Sequence, residues 1–408
     1  MKVGIAYTNE QDALVSGKKI AEHAIKDGDI RRPDLVFAFC SGELDHDEFF
    51  RGLRSVVGEE VPIIGGSSIG IITNDHLSYE GYPAAALVLQ FTTVTLRIAS
   101  AGNLDKGEEV AGRALAEKLS GEPEGTLLFL LYDSIKVPAR DGLPPVLNSS
   151  SPLLGGIEQQ LQATIPIIGA GLVGDYALRR PTKQFCGLSA GSQRVVGTLF
   201  AGDFKPYFRI MHGCTPLEDT NHTITKIDGS IIYELDGKPI VELIDALFGS
   251  QGWRNDHPVD LLTIGRRYGS RFGQAEEGDY VNRLITGALP NGEGVCIFEP
   301  DFEEGTEIQF MLRDTAKMLE SAKRNSSELM EQIKADGKKP LFGMYIDCAG
   351  RAAKYLNTRI EEATEVQKVF NHYSTPLFGF YSGVEIAPLF DKSKGLDWTG
   401  VLMVLAEG

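Results

Sequence analysis

The chain has 408 residues, of which 42% are apolar and 24% are charged, values typical of a globular protein. Its length exceeds the size at which a single hydrophobic core stops growing, so the sequence predicts two domains. A net charge of −16 argues against a nucleic-acid partner and against binding to anionic membranes, because both need clustered Lys and Arg.

The sequence shows no sign of export or of covalent cross-linking. It opens on a strand-like segment without the apolar core of a signal peptide, and no apolar run approaches the roughly 18 residues that span a bilayer. We therefore expect a cytoplasmic protein with no membrane partner. The five cysteines are scattered and form no Cys-x-x-Cys pair, so neither a disulfide framework nor a zinc site is predicted.

The first part of the chain alternates apolar strands with amphipathic helices. The periodicity predicts a strand over 2–8, a helix over 10–26, a buried strand over 35–39, a helix over 45–57, a strand from 62, and a hairpin formed by 84–91 and 94–99. Turn signals and short apolar runs separate these segments.

The same pattern then recurs twice. Ile-Pro-Ile-Ile-Gly at 165–169 closely repeats Val-Pro-Ile-Ile-Gly at 61–65. The second copy comprises a helix over 107–119, strands over 126–132, 165–170 and 195–201, and a helix over 153–161. The third comprises strands over 341–345, 376–381 and 401–405 and a helix over 361–373. Each copy therefore reads as a strand-helix-strand-strand unit.

Between the second and third copies lies a strand-rich stretch that ends in a long polar helix over 313–335. A proline-containing break at 203–207 predicts the boundary between a module at 1–205 and a module at 206–408. Alternation of buried strands with helices predicts an α/β fold. We expect two similar-sized modules of mixed β-sheets packed together and flanked by helices, with internal repeats of the strand-helix-strand-strand unit.

Two glycine motifs resemble catalytic or cofactor signatures. Gly-x-Gly-x-x-Gly at 169–174 follows a strand, but neither a helix nor an acidic residue about 20 positions later accompanies it, which favours turn glycines. Gly-x-Ser-x-Gly at 66–70 presents Ser68 as a candidate nucleophile, although β-branched residues follow where a helix is needed. A serine- or cysteine-dependent hydrolase using Ser68 or Cys348 is therefore an alternative.

The candidate ligand site lies at the ends of two neighbouring strands in the third copy. Arg351 offers a planar fork for a carboxylate, and Glu385 could pair with an ammonium. Tyr381 could cover an apolar group. Such a set suits a zwitterion such as an amino acid, whereas the alternative is an internal Arg351–Glu385 salt bridge. The full candidate set is Cys348, Arg351, Tyr381, Ser382 and Glu385, with His212 and Cys214 near the predicted domain boundary.

These segments carry a family resemblance. Cys-x-Gly-Arg at 348–351, followed by an acidic helix and by Gly-Phe-Tyr-Ser-x-x-Glu-Ile at 379–386, resembles the C-terminal module of the FIST family (F-box and intracellular signal transduction). Segments 212–216 and 228–239 look like the start of that module, and 33–41 and 62–70 are similar to the N-terminal module. The chain departs from the family pattern at Gly383 and Val384, where an aromatic residue and then Gly are usual.

The resemblance implies a cytoplasmic sensor module that binds a small ligand, possibly an amino acid or a related metabolite. It further implies a separate signalling partner, such as a histidine kinase, a chemoreceptor or a cyclic-dinucleotide enzyme. Two alternatives remain open: a protein-interaction scaffold, and a haem-based nitric-oxide sensor for which His212 is the candidate ligand. Apart from that minority haem interpretation no cofactor is predicted, and an enzymatic role is less favoured than a sensory one.

Overall fold

The structure is a computed structural model that describes residues 1–121, 125–140, 145–161, 165–269, 276–356 and 358–408. Its α-helices, numbered in chain order, are α1 (Ala13–Asp27), α2 (His46–Val57), α3 (Glu108–Leu119), α4 (Ser150–Leu161), α5 (Ile240–Phe248), α6 (Thr315–Ala335) and α7 (Ala363–His372). Short 3-10 turns lie at Leu104–Lys106, Gly252–Asn255, Glu277–Asp279 and Ala349–Arg351.

Three six-stranded sheets share one strand order. In spatial order, sheet I contains Lys2–Thr8, Ala84–Gln90, Leu35–Ser41, Ile63–Ser68, Gln184–Gly187 and Ala190–Gly191. Sheet II contains Val94–Ala101, Val195–Gly202, Leu127–Asp133, Ile167–Leu172, Val384–Leu389 and Lys392–Leu396. Sheet III contains Phe204–Met211, Gly400–Glu407, Pro340–Cys348, Leu377–Ser382, Ile71–Thr73 and Leu77–Ser78.

The strand directions also match from sheet to sheet. In each sheet the third and fourth strands are parallel, and the neighbours on either side of them are antiparallel. The last two strands of each sheet come from a different repeat of the chain. Sheet I is completed by the second repeat, sheet II by the third and sheet III by the first, so the three repeats exchange strands in a cycle.

A fourth sheet, sheet IV, is inserted into the third repeat. Its strands, in spatial order, are Thr215–Pro216, Glu307–Leu312, His222–Asp228, Ile231–Leu235, Val295–Ile297, Tyr280–Ala288 and Leu262–Arg267, with Lys238–Pro239 paired to Ile231–Leu235. Leu262–Arg267 also pairs with Glu307–Leu312, so the sheet closes on itself. A separate two-stranded ribbon joins Ile135–Val137 to Val146–Leu147.

Sheets I to III enclose one hydrophobic core. Successive side chains of a strand point to opposite faces, so Phe37, Phe129 and Ile346 enter the shared core. Residues beside them in the sequence, such as Val36 and Leu128, pack instead against the helices outside. Helices α1 and α2 cover sheet I, α3 and α4 cover sheet II, and α6 and α7 cover sheet III. Burial on both faces explains why these strands are continuously apolar.

The repeated Pro-Ile-Ile-Gly motif has a packing reason. A Cβ atom on Gly65 would lie 1.8 Å from the carbonyl oxygen of Ala38, and one on Gly169 would lie 1.8 Å from that of Leu130. Each glycine therefore allows the fourth strand to approach the third strand of its own sheet. The same requirement in two sheets accounts for the sequence repeat at these positions.

The predicted α/β fold, with mixed sheets packed together and helices outside, is confirmed. The predicted hairpin of 84–91 and 94–99 is wrong, because Ala84–Gln90 pairs within sheet I whereas Val94–Ala101 pairs within sheet II. Sheets II and III each combine strands from both sides of residue 205. Across the described residues, no helix is both long and apolar enough to cross a membrane.

Candidate ligand-binding site

The ends of two parallel strands bring the predicted site residues together. In sheet III, Cys348 lies beside Ser382 and Asp347 lies beside Tyr381. Ser382 donates a hydrogen bond of 2.7 Å from its hydroxyl to Oε1 of Glu385, which belongs to sheet II. The strand exchange between repeats thus places these groups at one junction between sheets II and III.

Arg351 is enclosed, and both of its terminal nitrogens donate to protein groups. Its guanidinium donates to both carboxylate oxygens of Glu362, with 2.5 Å to Oε1. It also donates to the carbonyl oxygens of His212 at 3.1 Å and Trp398 at 2.8 Å, and only 1% of the residue is exposed. Both sequence-based interpretations of Arg351 therefore need correction: its fork is not free for a ligand carboxylate, and its ion-pair partner is Glu362 rather than Glu385.

Two other buried carboxyl groups lack hydrogen-bond donors. Among the described residues, neither side-chain oxygen of Asp347 has a hydrogen-bond partner, and Oε2 of Glu385 has none. The nearest cationic group to Asp347 is Arg351, whose Nε lies 3.4 Å from Oδ1 without forming a hydrogen bond. Burial raises the pKa of Asp347 well above its usual value, and the neighbouring Glu362 adds to the increase. Burial likewise raises the pKa of Glu385.

Asp133 is a comparable buried carboxylate whose oxygens do have hydrogen-bond donors. It ends the third strand of sheet II, as Cys348 ends that of sheet III. Its carboxylate accepts hydrogen bonds from the backbone of Ile135 at 3.1 Å, from the backbone of Gln193 at 2.9 Å, and from the hydroxyl of Thr182. The missing donors at Asp347 and Glu385 are therefore a local feature of the junction between sheets II and III.

A group of tyrosines surrounds the carboxyl groups. Tyr79 donates its hydroxyl proton to Glu361 at 2.6 Å, and Tyr381 donates to the same carboxylate at 3.2 Å. The rings of Tyr79 and Tyr381 meet edge to face, with centroids 6.0 Å apart. Burial and the hydrogen bond to Glu361 raise the pKa of Tyr79 to about 12, so its ring remains neutral.

Cys348, next to Asp347 in the sequence, is partly exposed. Two further tyrosines, Tyr176 and Tyr355, stack with ring centroids 5.6 Å apart. They are 37% and 47% exposed. Burial, with added effects from Tyr79, Glu361, Asp347 and Cys348, raises the pKa of Tyr176. Two partly exposed rings therefore lie near the buried carboxyl groups.

His212 and Cys214 lie next to this cluster at the entry to sheet IV. Nδ1 of His212 accepts a hydrogen bond of 2.9 Å from the backbone of Cys214, so Nε2 carries the proton and donates to the carbonyl oxygen of Glu277 at 2.7 Å. Both ring nitrogens are engaged, and burial lowers the pKa of this imidazole. His212 therefore does not fit the role of a haem ligand. Burial raises the pKa of Cys214 to about 12.

The candidate nucleophile Ser68 is fully buried and makes structural contacts. Its hydroxyl bonds to the carbonyl oxygens of Gly70 at 2.7 Å and Tyr381 at 3.0 Å. The adjacent Ser67 does lie 2.9 Å from Nε2 of His46, but it is also fully buried and accepts a hydrogen bond from the backbone of Lys183. These contacts stabilise sheet I and give no substrate access to either serine.

Sequence reasoning missed Asp347, Glu362, Tyr79, Tyr176 and Tyr355. A signal existed for Asp347, which is a single acidic residue at the end of an otherwise apolar strand. The hydrogen bond between Tyr79 and Glu361 joins positions 282 residues apart, and no local pattern reports such a pairing. Within the described parts of the chain, no group of three His, Cys, Asp or Glu side chains could hold a metal ion.

The fold and the site together define a class: an α/β protein of three strand-exchanging sheets and an inserted closed sheet, with an enclosed polar site near the point of insertion. Family models for the FIST N domain and the FIST C domain match residues 34–238 and 247–388 respectively. The chain belongs to the FIST family, whose domains are signal-transduction modules of the sensor type. The family predicted from the sequence is thereby confirmed.

Other similarities are distant. An uncharacterized protein of Methanocaldococcus jannaschii, MJ1623, is 24% identical over 407 residues, which cover 87% of this chain and 69% of that protein. Cyanuric acid hydrolase from A. caulinodans aligns over 100% of this chain and 99% of its own at 10% identity, with a TM-score of 0.33. PurLQS from Thermotoga maritima aligns over 100% of this chain and 72% of its own at 10% identity, with a TM-score of 0.22. TM-scores of this size support no conclusion about function.

Proposed function

We propose that this chain is a cytoplasmic sensor module that binds a small ligand at the junction of sheets II and III and reports its occupancy to a separate signalling protein. One observation carries the proposal: the buried carboxyl groups of Asp347 and Glu385 present oxygens without hydrogen-bond donors. Buried polar atoms are nearly always paired, and an unpaired one costs about 1–3 kcal/mol. A ligand that donates to these oxygens would recover that free energy.

The ligand class predicted from the sequence, an amino acid or a related metabolite, has a donor of the required kind. Its ammonium group carries N–H bonds that could reach the carboxyl groups of Asp347 and Glu385. Apolar side chains are also at hand, because Ile69, Val173 and Ala349 belong to the buried cluster that includes Tyr381. The site therefore combines charged acceptors with apolar walls, as small-molecule sites commonly do.

The route from the site to the rest of the molecule runs through Arg351 and His212. Arg351 lies 3.4 Å from Asp347 and donates to the carbonyl oxygen of His212. The backbone of Gly213 in turn donates to Glu277 at 2.6 Å, and Glu277 also accepts from Arg324 of α6 at 2.8 Å. A ligand at Asp347 would bias the position of sheet IV and α6 through this chain of contacts.

The output partner in this proposal is a histidine kinase, a chemoreceptor or a cyclic-dinucleotide enzyme. Such a partner would read the altered arrangement of sheet IV and α6. Hydrogen exchange tests the route directly: ligand should slow the exchange of the backbone amides of His212, Gly213 and Cys214. Protection limited to residues 345–385 would show that occupancy stays local and would contradict the proposed route.

The central test is ligand capture. Native mass spectrometry of freshly purified protein should show a bound small molecule, and a panel of metabolites should contain one that raises the melting temperature. A ligand at 100 times its dissociation constant adds about 2.7 kcal/mol of stability, which is easily measured. Absence of a bound molecule together with no stabilisation at millimolar concentrations would refute the sensor proposal.

A variant at the proposed ligand site and a matched surface variant distinguish an effect on ligand binding from a general effect on the fold. Glu385→Gln keeps the bond to Ser382 possible but removes the charge, so it should abolish the stabilisation by ligand. Asp29→Asn is the control, because this carboxylate is 87% exposed and pairs only with Lys2 at the surface. It should respond to ligand as the unmodified protein does.

A further inference from the structure

We infer that the ligand is an organic cation without a carboxylate, a small amine or related ammonium compound, rather than an amino-acid zwitterion. The inference rests on the proposed function and narrows its ligand class. It follows from two features of the junction between sheets II and III: the terminal nitrogens of Arg351 donate to protein groups, and two buried acids beside it have oxygens without hydrogen-bond donors.

The terminal nitrogens of Arg351 are not free for a ligand carboxylate. They donate to Glu362, His212 and Trp398, while the unpaired Nε lies 3.4 Å from Oδ1 of Asp347. A ligand carboxylate would have to displace Glu362, which is 1% exposed and would lose its ion pair while keeping a hydrogen bond from Tyr345. Breaking a buried ion pair in this way is strongly unfavourable. A zwitterion would therefore meet repulsion at its anionic end.

The balance of charge in the site is acidic. Three buried carboxyl groups, those of Asp347, Glu362 and Glu385, face the single guanidinium of Arg351. Glu361 adds a fourth carboxylate at the hydroxyls of Tyr79 and Tyr381. With all of them ionised, the site has an excess of negative charge that only a cation or bound protons can neutralise.

A second guanidinium, that of Arg313, lies near Cys348 and Tyr355. Its guanidinium sits 4.2 Å from the ring of Trp398 and donates to the carbonyl oxygen of Val259 at 2.6 Å. Its nearest carboxylate is Asp260, at 3.8 Å. Arg313 therefore stabilises the interface between sheet IV and the core, and it does not offset the charge of Asp347 and Glu385.

The aromatic groups match a cationic guest. Four tyrosines lie near the acids, two edge to face and two stacked: Tyr79, Tyr381, Tyr176 and Tyr355. Tyrosine faces attract organic cations through the quadrupole of the ring, and desolvation strengthens this attraction. Anions gain nothing from such faces. The exposed rings of Tyr176 and Tyr355 therefore favour a positively charged ligand, as the buried acids do.

A pair of matched compound series tests the inference. The first series keeps one ring and one chain length and changes only charge: 2-phenylethylamine, L-phenylalanine and 3-phenylpropionate. The second does the same with an aliphatic group: isopentylamine, L-leucine and 4-methylpentanoate. We expect the amines to raise the melting temperature and to bind in titration calorimetry. We expect the carboxylates to do neither and the amino acids to bind at least tenfold more weakly than the amines.

Variants identify the acids responsible. Asp347→Asn and Glu385→Gln should each weaken amine binding by about 10- to 100-fold, the usual loss for one charge-assisted hydrogen bond. Two separate variants keep the test decisive if one of them fails to fold. Asp29→Asn, at the exposed pair with Lys2, should leave the affinity unchanged.

The outcomes distinguish this inference from the function on which it rests. Amino acids that bind as tightly as the matched amines would overturn the inference and leave the sensor function standing. No binding by any amine would also overturn it, and the metabolite panel and native mass spectra then decide the sensor function separately. Binding of amines that survives both Asp347→Asn and Glu385→Gln would place the cation elsewhere and contradict the assignment.

Discussion

Replacing Arg351 by Ala should destabilise the fold rather than only remove a ligand contact. The side chain is buried and links Glu362, His212 and Trp398 through four hydrogen bonds. Its loss leaves Glu362 at 1% exposure without its ion-pair partner, with a hydrogen bond from Tyr345 remaining. Removing one partner of such a pair costs about 3–5 kcal/mol, because the remaining charge stays desolvated.

Urea unfolding, followed by the fluorescence of Trp253 and Trp398, measures this loss. Arg113→Ala is the matched control, since Arg113 is also an arginine in an ion pair, 3.1 Å from Glu109, but is 47% exposed. Exposed pairs contribute at most about 1 kcal/mol, so the control should unfold almost as the unmodified protein does. Arg351→Lys should fall between the two, because an ammonium keeps the charge but not the fork.

The decisive result is the difference between the two arginines. A loss below about 1 kcal/mol for Arg351→Ala would mean that the buried ion pair contributes no more than an exposed one. If that small loss came with complete loss of ligand binding, Arg351 would be a ligand contact. The hydrogen bonds from this guanidinium to protein groups would then not be those of the ligand-bound protein.

Three further changes have defined outcomes. Burial lowers the pKa of His46 to about 4; stability should therefore be complete above about pH 6.5 and fall by about 3 kcal/mol as the pH decreases towards 4. His46→Gln should lack this acid loss in pH-dependent unfolding, although Asp45, Asp47 and Lys183 still face the site. Glu299 accepts hydrogen bonds from the backbone and hydroxyl groups of Ser150 and Ser151 at the start of α4. Glu299→Ala should therefore lower the free energy of unfolding in urea by about 2 kcal/mol. An unchanged free energy of unfolding would contradict this capping role. Burial and Glu385 raise the pKa of Cys348. Because the thiolate is the reactive form, iodoacetamide should label Cys348 slowly in the folded protein at pH 8 and rapidly in urea. Fast labelling of the folded protein would refute the raised pKa.

The sequence predicted the elements better than their pairing. Continuous apolar runs such as Leu127–Asp133 fit strands buried on both faces, and the structure has them there. The strands Ala84–Gln90 and Val94–Ala101 are separated by three residues, which normally indicates a hairpin. They belong to different sheets because Ala84–Gln90 is the second strand of sheet I, whereas Val94–Ala101 is the first strand of sheet II. A boundary between repeats of this kind leaves no local signal, since the pairing of each strand depends on contacts with distant parts of the chain.

Sequence reasoning anticipated which strand ends meet, but not the partners of the side chains there. Parallel strands end at one edge of a sheet, so the meeting of Cys348 and Ser382 could be anticipated from their order. The partner of Arg351 could not, because two acidic residues, Glu362 and Glu385, were both available in sequence. Residues outside the motif decide which acid pairs with Arg351. One of them is His212, which is 139 positions away in the sequence and accepts a hydrogen bond from Arg351 at its carbonyl oxygen.

The strand ends of the three sheets differ in how their acidic groups are paired. The third strands of sheets I and II end in Ser41 and Asp133, whose polar groups are hydrogen-bonded within the described structure. Among the described residues, the buried carboxyl groups with unpaired oxygens are those of Asp347 and the adjoining Glu385, at the corresponding end of sheet III. Sheet IV is inserted into that same repeat, a few residues from His212. The fold itself would allow the polar groups at all three strand ends to be hydrogen-bonded. The unpaired acids next to sheet IV therefore mark a place where a ligand could act on that sheet.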